Sequence, residues 1–199
     1  MNQINLNNRE YDVIIVGAGF SGLYQLICLR DQLGMNCLVV ETGDEVGGTW
    51  YWNRYPGARC DTESHAYSYY FSDELLKEWT WSERYPGHAE IRRYMNFVAD
   101  KFDLKKDILF NHKVTSAQYN EDKICWKITT NNKINFRSKF LITAVGCLSN
   151  ANIPNIRGLE NFKGKYYIQA IGQKMTCHLL VKKLVKLALV LLEYKQYQL

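Results

Sequence analysis

An α/β fold is predicted for this chain on three observations. Apolar residues 11–16 run directly into Gly17-Ala18-Gly19-Phe20-Ser21-Gly22, the pattern of a strand that turns into a helix. A second apolar run, residues 37–40, closes on Glu41, nineteen residues after Gly22. Between them, residues 20–33 read as a helix, so the unit is strand, helix, strand, the building block of a parallel sheet. The expected architecture is a Rossmann-type parallel sheet with a β-meander insertion further along.

Each part of this first unit has a physical reason. Gly17 lets the chain turn sharply off the first strand, Gly19 removes a side chain where a pyrophosphate must approach the backbone, and Gly22 lets the helix pack close to the sheet. The helix then aims its N-terminal dipole and unpaired N–H groups at the phosphates. Glu41, at the tip of the second strand, is placed to accept the hydroxyls of a ribose. A glycine triplet alone is a weak signal; five parts in register make a dinucleotide-binding fingerprint. The bland alternative is a tight strand-to-helix turn without a ligand.

Residues 43–61 are aromatic and punctuated by glycine, and are expected to form neither regular helix nor strand. Residues 88–102 read as a helix with Ile91, Tyr94, Met95, Val98 and Phe102 on one face and Arg92 and Arg93 beside it. Three β-like runs follow, residues 108–119, 124–130 and 134–136, with Asn-rich turns at 120–123 and 131–133. Residues 140–145 then return to the core sheet as a strand that ends at Gly146. The chain thus divides into a polar arm (1–10), one nucleotide-binding region (11–167) and a basic, Leu-rich tail (168–199).

Composition excludes several function classes. Of the net charge of +5, +4 belongs to residues 168–199, where five lysines (174, 182, 183, 186 and 195) face only Glu193. The folded body is nearly neutral, so nucleic acid is not an expected partner. The polar N-terminus lacks the apolar core of a secretion signal or anchor; no transmembrane segment and a cytoplasmic address are expected. Six cysteines (28, 37, 60, 125, 147 and 177) show neither a Cys-x-x-Cys pair nor metal-ligand spacing, so reduced thiols and no metal are expected. His65, His88 and His112 lack triad or metal spacing, and Trp79 and Trp81 are expected to pack against the core.

Behind the glycine triplet stand Gly47-Gly48-Thr49-Trp50, Arg54-Tyr55-Pro56-Gly57 and Cys60-Asp61. Further on come Ala144-Val145-Gly146, Leu148-Ser149-Asn150, Ile153-Pro154, Gly158-Leu159 and Phe162-Lys163-Gly164. In this order and spacing the blocks resemble the Baeyer–Villiger flavin monooxygenases of the cyclohexanone monooxygenase type, over roughly residues 11–167. The resemblance implies FAD in the Rossmann-type domain, NADPH as reductant, and a flavin peroxide formed with O2 that inserts oxygen beside a ketone or oxidises a heteroatom. It implies that Gly17, Gly19, Phe20, Ser21 and Gly22 hold the pyrophosphate and Glu41 the adenosine ribose. Gly48, Thr49 and Trp50 would line the flavin, with Arg54, Tyr55 and Asp61 near its ring; Val114 would reach the adenine, and Ala144 to Gly146 would close over the cofactor. Asp61 is the implied catalytic residue, positioning an arginine from later in the family's sequence. An N- or S-oxidising flavin monooxygenase, and a residual FAD-binding module without catalysis, stay open beside this reading.

The resemblance breaks at the tail. The family's linker has His six residues after Phe and Trp four further on; here Ile168 and Gly172 stand at those places. The second glycine triplet expected for NADPH is also absent, which marks the fold as incomplete with an aberrant C-terminal tail and the chain as a fragment. Back-translation offers a reason. With one extra cytosine before the Ile168 codon, synonymous third bases can be chosen so that the regrouped message reads His, then Trp-Pro at 172 and 173, then Gly-Thr-Gly-Ala-Thr-Gly. The second G of each of the three new glycine codons is the fixed first base of the Ala188, Val190 or Glu193 codon. The expectation is a frameshift near residue 168; the alternative is a genuine amphipathic C-terminal helix.

Overall fold

The computed structural model describes residues 7–55, 57–149 and 155–163. Apolar β-branched residues build the first strand, β1 (Arg9–Val16), whose Val13, Ile14 and Ile15 are all buried. The helix α1 (Phe20–Ile27) follows, then β2 (Cys37–Val40), buried along its whole length. Next come α2 (Thr49–Trp52), α3 (Asp73–Glu78), capped by the Ser72 hydroxyl on the Leu75 N–H, and α4 (His88–Lys101). The remaining strands are β3 (Ile108–Leu109), β4 (Val114–Asn120), β5 (Cys125–Thr130) and β6 (Asn135–Thr143).

One six-stranded sheet results, in the order β3-β2-β1-β6-β5-β4. The first four run parallel, with Ile15 opposite both Val39 and Ile142, and β5 and β4 continue antiparallel from β6. A parallel sheet has to be covered on both faces. Val13, Ile15 and Val39 pack with Leu23, Leu26 and Ile27 of α1 and with Ile91, Tyr94, Met95 and Val98 of α4. Ile14, Leu38 and Val40 instead cluster with Ile128 and Phe136, so the antiparallel extension covers the second face. Each fully buried Ile or Leu contributes about 1.5–3 kcal/mol to this core.

Four expectations change in detail. The runs expected at 134–136 and 140–145 are not separate strands but fall on one, β6, which spans Asn135–Thr143 and whose first half pairs with both β5 and β1. The run at 108–119 is two strands, of which Ile108–Leu109 belongs to the parallel sheet beside β2. The glycine-rich stretch at 43–61 does contain helix: after Gly48 the N–H groups of Trp52 and Asn53 bond back to Gly48 and Thr49, closing α2. The helix after the triplet is α-helical only to Ile27 and then widens to a π-helical turn at Cys28–Gln32. That turn carries Arg30 to the end of α4, where its guanidinium donates to the carbonyls of Phe102 (2.7 Å) and Asp103 (2.9 Å) and pairs with Asp107 (2.8 Å). The adjacent Asp31 carboxylate, which accepts from Arg30 Nε (2.6 Å), and then Asp107 raise the Arg30 pKa.

Trp79 and Trp81 pack against the core as expected. Among the described cysteines all are free thiols, Cys37 and Cys60 buried and Cys147 exposed. No described helix is long and apolar enough to cross a membrane, and no described group of His, Cys, Asp or Glu is arranged to hold a metal. Pro56, Asn150, Ile153, Pro154, Gly164 and the tail 168–199 lie outside the described residues.

Candidate functional site: a nucleotide crevice at the strand ends

The C-terminal ends of β1, β2 and β6 lie side by side, Gly17 N donating to Val40 O (2.9 Å) and Ala144 N to Val16 O (2.9 Å), and border the place where a ligand crevice is expected. Ligands of open α/β sheets bind at such ends, where successive connections leave a strand in opposite directions. Here β1 is that strand, with β2 on one side and β6 on the other.

The glycines of the first loop are enforced by backbone contacts. Gly17 leaves β1 with φ +104°, and a β-carbon there would lie 2.6 Å from the Ala144 carbonyl oxygen at the end of β6. A β-carbon on Gly22 would lie 1.9 Å from the Gly17 carbonyl oxygen, so only glycine lets α1 sit this close to the strand. The Ala144 N–H donates to Val16 O (2.9 Å), locking β6 to the loop. Gly19 is the N-cap of α1, no side chain caps it, and the first intrahelical bond runs from Leu23 N to Gly19 O (3.0 Å). The amides of the first turn therefore have no partner within the helix, which makes them suitable donors for an anion.

Glu41 does more than end β2. It is 5% exposed, and its two carboxylate oxygens accept from Ala18 N and Gly43 N, each at 2.7 Å. One acid thus ties the glycine loop to the next turn while keeping lone pairs for other donors. Backbone bonds from His112 N to Glu41 O and from Asn111 N to Gly43 O, both 2.9 Å, strap the segment leading to Val114 beside it.

The second glycine block closes the crevice from above. Gly47 N donates to Ala18 O (3.1 Å), and Gly48 approaches Gly19. Trp50 is buried and its indole N–H donates to the Tyr67 hydroxyl (3.0 Å). Arg54 stacks over the Tyr51 ring at 4.5 Å, and the Tyr51 hydroxyl donates to Asp44 (2.6 Å).

The structure brings together Gly17, Gly19, Gly22, Glu41, Gly48 and Ala144 by contact, with Ser21 exposed on the first turn of α1. Phe20 divides its role: its ring packs against Tyr67 (5.0 Å) and Tyr69 (5.1 Å) in the core, leaving only its backbone for a ligand. Asp61 is exposed and forms no hydrogen bond or ion pair among the described residues, whether with Arg54, Tyr55 or any other. Sequence reasoning missed Gly43 and Tyr67. The Gly43 spacing two residues after Glu41 was a usable signal; nothing local marks Tyr67 as the partner of Trp50.

The sequence profile of the pyridine nucleotide-disulphide oxidoreductases matches residues 14–181. The chain belongs to that family. Among its oxidoreductase relatives is the 2-oxo-Δ3-4,5,5-trimethylcyclopentenylacetyl-CoA monooxygenase of Pseudomonas putida, 45% identical over 156 residues, covering 78% of this chain and 28% of the relative. A closed crystal structure of cyclohexanone monooxygenase superposes with a TM-score of 0.80 at 40% identity, covering 86% of this chain and 32% of that one. The crystal structure of OTEMO in complex with FAD and NADP superposes with a TM-score of 0.71 at 45% identity, over 78% of this chain and 29% of its own. The chain therefore spans about three tenths of the length of these relatives, aligned with their N-terminal part.

Proposed function

We propose that the crevice binds FAD and that the activity to which this region contributes is a Baeyer–Villiger monooxygenation, oxygen insertion beside a ketone, with NADPH as reductant and O2 as co-substrate. The observation that carries the cofactor reading is the closed glycine cradle: Gly17, Gly22 and Gly48 leave no room for a β-carbon, and no side chain caps the N-terminus of α1 beside them. A dinucleotide fits this donor set, because the amides meet a pyrophosphate and Glu41 retains acceptor sites for a ribose. FAD, when bound, supplies redox chemistry and oxygen activation. This chain's residues would bind and orient it: Gly48, Thr49 and Trp50 are proposed for the ring, Ala144 to Gly146 to close over the cofactor, and Val114 for the adenine. Buried Trp50, held by Tyr67, excludes water there.

Asp61, exposed near Tyr67, is proposed as the acid that positions a cationic partner over the ring; Arg54 and Tyr55 are proposed as neighbours of the ring edge. Several relatives are named as ketone monooxygenases, which favours ketone oxidation, while a phenazine N-monooxygenase of Lysobacter antibioticus, 40% identical over 81% of this chain, keeps heteroatom oxidation as the second reading. A cytoplasmic address and a frameshift near residue 168 are proposed as well. The test is FAD titration of the purified chain, followed by flavin fluorescence. Saturable binding that Gly19→Val abolishes supports the reading; absent binding, or binding indifferent to Gly19→Val, overturns it.

A further inference from the structure

Tyr67 touches both glycine blocks of the nucleotide cradle. On the first block it meets the ring of Phe20, the opening residue of α1, edge-on with centroids 5.0 Å apart and planes at 73°. On the second it accepts the Trp50 indole N–H at 3.0 Å, the two rings standing at 89° with centroids 5.9 Å apart. Its own backbone is anchored elsewhere: the Tyr67 N–H donates to the carbonyls of Glu63 (3.0 Å) and Ser64 (3.1 Å), and the Ser64 N–H donates to the Arg84 carbonyl (2.7 Å). One phenol, held from a third segment, therefore spans the loop that leads off β1 and the loop that follows β2.

Trp50 needs such a holder. It sits in α2, a helix of only 4 residues, where Trp50 N donates to Gly47 O (3.0 Å) and Trp52 N to Gly48 O (3.1 Å). Those bonds place the backbone but not the indole, whose rotamer is set by its side-chain contacts. Trp50 is 9% exposed, and among the described residues its N–H has Tyr67 as sole acceptor. A buried indole N–H takes a partner, and a Phe at position 67 would supply the same ring contacts without one. Desolvation, outweighing the Trp50 bond, raises the Tyr67 phenol, so at neutral pH the indole bonds a neutral hydroxyl.

We propose that Tyr67 is a positioning residue for the cofactor: bonded to Trp50 and resting on Phe20, it holds the indole that borders the flavin in register with the turn of α1 that meets the pyrophosphate. The role rests on the proposed FAD reading. Tyr67 acts through Trp50 and itself makes and breaks no bond to the cofactor. Without the hydroxyl the ring at position 67 still packs, but the Trp50 N–H loses its acceptor and the indole leaves its single orientation to find another. The ring-side wall is then no longer preorganised, and a flat ring held against it loses affinity and uniformity.

The test compares the parent chain with Tyr67→Phe, Trp50→Phe and the double variant. The first readout needs no flavin: the Trp50 indole N–H, assigned by its loss in Trp50→Phe, should exchange with solvent about two- to tenfold faster in Tyr67→Phe, the range of one neutral hydrogen bond. FAD affinity should fall in Tyr67→Phe by a like factor, and the fluorescence decay of the bound flavin, which a neighbouring indole quenches, should turn from one dominant component to several. In the Trp50→Phe background the same substitution should change neither, because the effect runs through the indole. A general structural role would instead lower FAD affinity in both backgrounds, and that result overturns the proposal. So does unchanged indole exchange, or unchanged affinity and decay, in Tyr67→Phe. If Tyr67→Phe does not fold, a benzothiophene analogue of tryptophan at position 50, which keeps the ring and lacks the N–H, should give the same affinity loss and mixed decay; parent-like values overturn the proposal. A parent that binds no FAD overturns the flavin reading instead, and the exchange readout then decides alone whether Tyr67 fixes the indole.

Discussion

The α-carbon of Gly19 and the backbone of Gly48, from separate glycine blocks, touch so closely that a β-carbon on Gly48 would sit 2.8 Å from Gly19 Cα. Gly48 also holds φ +52°, a conformation that costs other residues energy. The two blocks are therefore a single device, two backbones pressed together at the mouth of the crevice. Gly48→Ala is expected to lower unfolding stability by about 1–3 kcal/mol through overpacking. It should also weaken FAD binding, which Gly19→Val abolishes. Urea unfolding and flavin titration of the two variants check this; unchanged stability in Gly48→Ala would show that the contact is not closed in solution.

Glu41 should matter twice. Glu41→Ala strands the Ala18 and Gly43 amides, at about 1–3 kcal/mol for each buried group left unpaired. FAD affinity should fall by a further one to two decades, since a hydrogen bond to a charged acceptor contributes roughly 1.5–3 kcal/mol. Glu41→Gln keeps one acceptor and should lie between. If thermal unfolding of Glu41→Ala matches the parent, the two amide bonds contribute nothing.

Acid should weaken the fold through His88. Desolvation first, then the charges of Arg92 and Arg54, lower its pKa, and its Nδ1 is buried without a partner among the described residues. A His with a depressed folded pKa contributes stability above its unfolded pKa, near 6.5, and loses it as pH falls through the folded value. His88→Gln should flatten the pH dependence of unfolding free energy below about pH 6.5. An identical slope in parent and variant would remove His88 as the cause.

Thiol reactivity should sort by burial. The Cys37 thiol is pushed up to about 11, desolvation being the main cause, whereas Cys147 is exposed. At neutral pH a disulfide reagent should modify Cys147 in the native chain and Cys37 only after unfolding. Peptide mapping after a timed pulse distinguishes them.

The tail is decided by the gene. Inserting one nucleotide before the Ile168 codon should yield His at 168, Trp at 172 and Pro at 173, followed by a second glycine triplet and a continuing open frame. Stop codons or unrelated residues in that frame would make residues 168–199 a genuine terminus.

What the sequence revealed of this fold follows how local each signal is. β1, α1, β2 and Glu41 were readable because a strand, a glycine turn and a helix each write their pattern into adjacent residues. β6 was split in two because Arg137, Ser138 and Lys139 break its apolar run. In the structure Arg137 pairs with Glu10 (3.3 Å) and Lys139 with Asp12 (2.8 Å) of β1. Those charges answer a neighbour far away in sequence, which no window of consecutive residues contains. The cradle glycines were legible for the same local reason as β1. Asp61 was legible only by resemblance, and its surroundings offer no contact that assigns it a role.

β6 also sets the order in which the molecule assembles. Asp12 and Lys139 are 127 positions apart, and the Gly17 turn is walled by Ala144. During synthesis β1, α1 and β2 leave the ribosome early with one edge of β1 open, and the crevice gains its second wall only after residue 144 has emerged. Pairing over such sequence distances is slow, because the loop must close before any bond rewards it. For the interval between, the nascent chain carries an apolar parallel edge without a neighbour, the state in which chaperone capture or misassembly competes with folding. Translational pausing or destabilising changes in β6 should therefore reduce the yield of folded chain more than equal destabilisation in α3.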